Sequence, residues 1–100
     1  MDPDEARRAR ATRNEEFFRG ANRAIARDAE DEDAPIEFLC ECASMECTTR
    51  LVIEPEQWHE AHERDACFVV SPGHVYGDVE RVVQRKERYE IVEKFPIKAG

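Results

Sequence analysis

The stretch FLCECASMECTTR places Cys40, Cys42 and Cys47 within eight residues, in a chain with one further cysteine, Cys67. Thiolates this close are the natural ligands of a borderline or soft metal ion, because four donors at about 2–2.3 Å complete a tetrahedron around zinc. The C-x-C-x4-C run supplies three donors locally. Ala43 and Ser44 are small enough for a tight turn that folds Cys47 back on the pair. The C-x-C step is shorter than the usual C-x2–4-C of zinc sites, and the fourth donor has to come from a distance. Two residues compete for it. His74 follows Pro72-Gly73, a pair that builds a type II turn because Pro sets φ and Gly takes the positive φ. Cys67 lies in the apolar run CFVV, where a cysteine serves as a small buried hydrophobe. His74 is favoured, since three thiolates, one neutral imidazole and Zn2+ sum to −1, against −2 for four thiolates. The smaller charge is easier to hold beside Glu41 and Glu46 in an acidic chain. An iron–sulfur cluster on the same donors is the rival to zinc. Plain packing or a disulfide are the blander alternatives, and the absence of C-x-x-C speaks against a redox cysteine.

Two other constellations carry less. WHEAHE sets His59 and His62 three residues apart, one short of the i, i+4 spacing by which H-E-x-x-H aims two imidazoles at one ion. It reads as a helix with Trp58 inward, polar histidines at its edge, and Glu60 and Glu63 on the solvated face. Arg81, Arg85, Lys86 and Arg88 form the densest positive patch of the C-terminal part, interrupted by Glu80, Glu87 and Glu90, which points to a solvated hairpin edge.

The elements that must position these residues fall into unlike halves. Residues 1–33 hold ten acids and seven arginines and no cysteine. Their start reads as frayed and solvated. A helix is expected from an N-cap at Asn14, with Glu15 and Glu16 in its first turn and Phe17, Ala21, Ala24 and Ile25 as its inner stripe. Phe17 and Phe18 cannot share one narrow stripe, so one is expected to pack inward and the other to face a second chain. DAEDEDAP forms an acidic link. Residues 34–100 then read as a module with strands in IEFLC, TTRLVIE and CFVV. A three-turn helix over PEQWHEAHERDA carries Trp58, Ala61 and His62 on one stripe, and DVERVVQR and YEIVEKF make a hairpin around 86–88, its first arm open to a helical period as well. The fold class is α+β. A core this small supplies only about 3–5 kcal/mol and calls for a staple such as a bound metal.

Composition bounds the job. With a net charge of −8 and 38% charged residues, a general nucleic-acid binder is disfavoured, because phosphate contacts need clustered Lys and Arg. No apolar run approaches the roughly 20 residues that span a bilayer. The N-terminal stretch lacks an apolar signal region, which makes the cytoplasm, with its reduced thiols, the expected compartment.

The segments EFLCECASMECTTR, FVVSPGHVYGDVERVV and YEIVEK, preceded by RNEEFFRGANRAIA, resemble a family of small, largely uncharacterised proteins found mainly in actinobacteria. The resemblance covers about residues 13–94 and rests on Cys40, Cys42, Cys47 and the Pro72-Gly73-His74 turn. It implies a metal-binding fold and no particular activity. Because the family typically lacks a cysteine at the position of Cys67, it also implies His74 as the fourth ligand. The chain departs from the family after Ile53, where Glu54-Pro55 and Trp58 stand in place of a Thr-type N-cap and a Tyr-bearing helix. The expectation is a cytoplasmic protein with a structural, closed Zn2+ site of Cys40, Cys42, Cys47 and His74, acting on another protein as an interaction or regulatory module. An iron–sulfur or thiol redox sensor and a nucleic-acid-associated regulator are the alternatives.

Overall fold

The computed structural model describes residues 3–77 and 79–95. Asp78, at the start of the expected hairpin arm, and residues 96–100 of the expected module lie outside them. The order is α1 (Pro3–Asp28), β1 (Ile36–Leu39), β2 (Arg50–Ile53), α2 (Pro55–Ala61), β3 (Cys67–Val70), β4 (Glu80–Arg85) and β5 (Glu90–Lys94). Two antiparallel sheets result, β1-β2 and β3-β5-β4. The α+β class holds, and the ambiguous 80–85 segment is a strand.

The strands follow from their side-chain alternation. In β2, Leu51 and Ile53 are buried and Val52 is exposed, so one face of the β1-β2 ribbon covers the core, as the alternation predicts. Phe38 of β1 stacks face to face on Trp58 of α2, with ring centroids 5.6 Å apart and planes 3° apart. β3 is buried along its whole length, as suits an apolar run covered on both faces. Its partner β5 is central, and a register shift between Val82 and Gln84 of β4 turns Val83 outward. That hairpin edge is solvated and ion-paired. Arg81 lies 3.5 Å from Glu93, and Arg85 lies 3.2 Å from Glu90.

Helix α1 differs most from expectation. It does not begin at Asn14 but at Pro3, 26 residues long. Proline suits the first helical position, Asp4 and Glu5 complement the dipole, and the Ala/Arg-rich run that follows consists of strong helix formers. At about 1.5 Å per residue such a helix is about 39 Å long, close to the 45 Å long axis of the molecule. Its inward face is also not the expected one. The buried residues are Ala11, Glu15, Phe18, Asn22 and Ala26, spaced three or four apart, while Phe17 is 61% exposed. An apolar count pointed to Phe17, Ala21, Ala24 and Ile25; the helix is rotated because the surface it meets offers polar partners. Asn22 Oδ1 accepts the Leu39 N–H at 2.8 Å, and its Nδ2 donates to Leu39 O at 2.8 Å. The amide thereby completes the unpaired edge of β1. Arg19 lies over the Phe68 ring, 4.7 Å from its centroid.

Glu15 is fully buried against β4 and β5, with Lys94 Nζ 3.5 Å from its Oε1. Burial first, and then the facing Glu80 carboxyl, push its pKa from 4.5 to about 9. Glu15 therefore holds its proton at neutral pH. A folded-state pKa above the unfolded one means that stability is greatest below about pH 4.5 and is lost as pH rises toward 9, by about 1.4 kcal/mol per pH unit at most. Glu15→Gln, which cannot ionise, should be more stable than the parent at neutral pH, with a gap that widens at pH 8–9. Thermal melts of both proteins across that range check this, and parallel pH profiles would contradict it.

Candidate metal centre

Cys40 continues the β1-β2 ladder, its N–H donating to Thr49 O at 3.1 Å. The next residue changes partner. Glu41 N–H donates to Val69 O at 2.8 Å, and the Glu41 carboxylate accepts the Val69 N–H at 2.8 Å. Glu41 thus occupies the second edge of β3 and joins the two sheets. Its remaining carboxylate contacts come from Asn22 Nδ2 at 2.8 Å, Trp58 Nε1 at 3.0 Å and His62 Nε2 at 2.7 Å. The group is 0% exposed, and four nitrogen partners fill the hydrogen-bonding capacity of its two oxygens. With Glu41 turned into the core, the sulfurs of Cys40 and Cys42 gather with Cys47 Sγ and a ring nitrogen of His74. The C-x-C spacing follows from that alternation about one anchored residue.

The third and fourth members arrive on two turns. Ser44 starts the first, its carbonyl accepting the Cys47 N–H at 3.2 Å and its Oγ the Glu46 N–H at 3.3 Å. The small residues expected to form this turn do so. Asn14 of α1, inside the helix instead of capping it, holds the loop by donating to Ala43 O at 2.6 Å. The second turn is Ser71-Pro72-Gly73-His74, closed by His74 N–H to Ser71 O at 2.9 Å. Gly73 has φ +85°, the geometry of a type II turn that an L side chain resists. The Glu90 carboxylate accepts the Gly73 N–H at 3.1 Å and steadies the turn.

These turns bring together one donor atom each from Cys40, Cys42, Cys47 and His74, all within 4.8 Å of one another. His74 Nδ1 stands 3.6 Å from Cys40 Sγ and 3.6 Å from Cys47 Sγ. The Ser71 N–H donates to Cys40 Sγ at 3.2 Å, an outer contact that suits a thiolate ligand. Cys40 and Cys42 are buried, while Cys47 and His74 are partly exposed. Cys67 is not a member of the group. It is buried in the core, and burial raises its pKa. Such a set of three thiols and one imidazole could hold a metal ion.

Two residues that the sequence left in minor roles support this arrangement. Glu41 is a buried anchor, where it had been only a nearby charge. His62 is not at a polar edge: its side chain is 6% exposed, its Nδ1 faces Trp58 O at 2.8 Å, and its ring stacks on Trp58 at 4.1 Å. Helix α2 accordingly stops at Ala61 after two turns instead of three, with His62 as its C-cap. His59 stays outside, 3.8 Å from Glu32. The only signal of this in the sequence is the period of two across Cys40-Glu41-Cys42, which already turns Glu41 away from the sulfurs.

Without a cation the three sulfurs cannot all be anionic. A hydrogen bond from Cys40 lowers Cys42 to about 5, whereas that same bond, and then burial, push Cys40 well above the ordinary thiol range. A metal ion bound by these four groups would displace the proton of Cys40. No family model, curated protein or solved structure matches the chain.

Two outcomes follow. Metal affinity should fall as pH falls from 8 to 6, by about tenfold per unit for each proton displaced, which competition with a chromophoric chelator at several pH values measures; a flat profile would contradict it. Glu41→Gln would present one NH2 to donors that need an acceptor, leaving buried N–H groups unpaired. It should cost about 3 kcal/mol or more in a denaturant melt of the metal-loaded protein.

Proposed function

We propose that one Zn2+ ion is held by Cys40, Cys42, Cys47 and His74 as a structural staple, and that the chain acts on another protein as an interaction or regulatory module. The observation that carries the zinc assignment is the pair of 3.6 Å separations between His74 Nδ1 and the sulfurs of Cys40 and Cys47. Zn–S near 2.3 Å and Zn–N near 2.0–2.1 Å at a tetrahedral angle require S···N of about 3.5 Å. A cluster with two or more irons spreads its ligands over several metal atoms, and the compact donor set favours a single ion. The ion, when bound, supplies positive charge and a cross-link. The four side chains fill a tetrahedron and leave no position for a substrate, which favours a closed structural site over a catalytic one.

The cross-link would tie the end of β1, the 43–49 loop and the turn after β3. The C-x-C-x4-C and Pro-Gly-His elements support kinship with small actinobacterial metal-binding proteins, and reduced thiols fit a cytoplasmic setting. Among the described residues no helix is long and apolar enough to cross a membrane. The apolar side chains left in solvent, Phe17 at 61% and Met45 at 55% exposure, support a protein partner, and the net charge of −8 weighs against nucleic acid.

Elemental analysis should find one zinc per chain. Strong chelation, or Cys42→Ser, should abolish the cooperative melt of residues 35–95, followed through buried Trp58. Cys67→Ser should keep both the metal and the melt. A metal-free protein that melts as the loaded one does would sink the staple, and iron in place of zinc would redirect the assignment.

A further inference from the structure

Beside the metal centre lies a cleft of about 590 Å3. Its walls come from the first half of α1, the 42–49 loop and the residues after the type II turn. That volume falls within the roughly 300–1,000 Å3 of small-molecule sites. We propose that this cleft binds a small organic oxyanion, a molecule carrying a phosphate or carboxylate group, whose acid group is received by Arg10 and by Nε2 of His74. The proposal rests on the ligand set assigned above, because the ion would hold Cys47 and His74 in the cleft wall.

Two independent observations point to an anion. The first is the histidine. His74 turns Nδ1 toward the sulfurs of Cys40 and Cys47. Ligation through Nδ1 leaves the proton on Nε2. A metal-bound histidine ordinarily donates that N–H to a carboxylate, a carbonyl or water. Among the described residues no acceptor is paired with it, and the ring lines the cleft. The site therefore presents a donor whose strength the bound cation would raise.

The second is charge. The chain carries −8 overall, yet residues 7–13 of α1 hold Arg7, Arg8, Arg10 and Arg13 and no acid. Of these, Arg7 and Arg10, one turn apart, line the cleft. Arg7 also pairs with Asp4 at 3.6 Å, which leaves the principal role to Arg10. A guanidinium fork matches two oxygens of a phosphate or carboxylate. On the opposite wall stands Glu46, which directs the acid group toward α1 and away from the loop. Val75 and Tyr76 offer an apolar and aromatic surface for the rest of the molecule. The net charge of −8 opposes a long polyanion, so a small molecule is favoured over nucleic acid.

The test uses the full chain with its zinc, the metal content being measured first on the same sample. AMP and citrate are titrated separately and followed by amide NMR shifts. Expected are saturable shifts within residues 7–14, 43–49 and 74–76, with AMP, citrate or both. Arg10→Ala should weaken the effect about tenfold, while zinc content and melting temperature stay as in the parent, since Arg10 is exposed on a helix. Comparison of the two ligands separates phosphate from carboxylate. The site is overturned if neither ligand produces saturable shifts at millimolar concentration, if Arg10→Ala changes nothing, or if only single-stranded DNA gives the response. A sample without zinc would instead count against the metal assignment, and the two failures stay distinct.

Discussion

The structure depends on a buried carboxylate. Glu41 accepts from an asparagine of α1, the indole and imidazole of the α2 region, and a main-chain N–H of β3. A carboxyl side chain at 0% exposure is costly unless its polar atoms find partners. Here the donors come from three separate elements, so the group is satisfied only when all three are docked. That makes Glu41 a specification device. It sets the register of the 40–42 segment against β3 and joins a two-stranded ribbon to a three-stranded sheet, with the flanking cysteines in the Cys40-Cys42-Cys47-His74 group.

The same logic governs how α1 attaches. Its buried stripe alternates small or aromatic residues with Glu15 and Asn22, and each polar member meets a partner far away in sequence. Asn22 reads the main chain of Leu39 at both its N–H and its carbonyl, and Asn14 fastens the loop that carries Cys47. Helix docking and the metal centre are therefore coupled through short hydrogen bonds rather than through a broad apolar face. A helix with so narrow an apolar stripe would be marginal alone in water, and the module it covers would have an open sheet edge without it. Each supplies what the other lacks.

The site turns on the distribution of charge. Three sulfurs, an imidazole and the buried Glu41 lie close together in an acidic chain. A bound cation would relieve repulsion among the sulfurs, and the arginines of α1 contribute opposite charge from across the cleft. Electrostatics of this kind favour a metal that stays in place, because its loss leaves protons, not cations, to neutralise the sulfurs.

Much of the local structure was legible in the residues themselves. The alternation of Leu51, Val52 and Ile53, the apolar run from Cys67 to Val70, and Pro72-Gly73 before His74 each express a short-range preference, and the strands and the type II turn stand where those preferences put them. The crowding of three cysteines and the position of a distant histidine marked a candidate ligand set. Only the tertiary structure decided which face α1 buries, that Asn14 is a tether instead of a cap, that His62 pairs with Glu41, and that Glu41 is an anchor. The reason is physical. Apolar periodicity reports what a segment loses by facing water, whereas a polar side chain can face the interior only if donors or acceptors wait there. For Glu41 those donors lie 17–28 residues away in sequence, and nothing in the local stretch announces them.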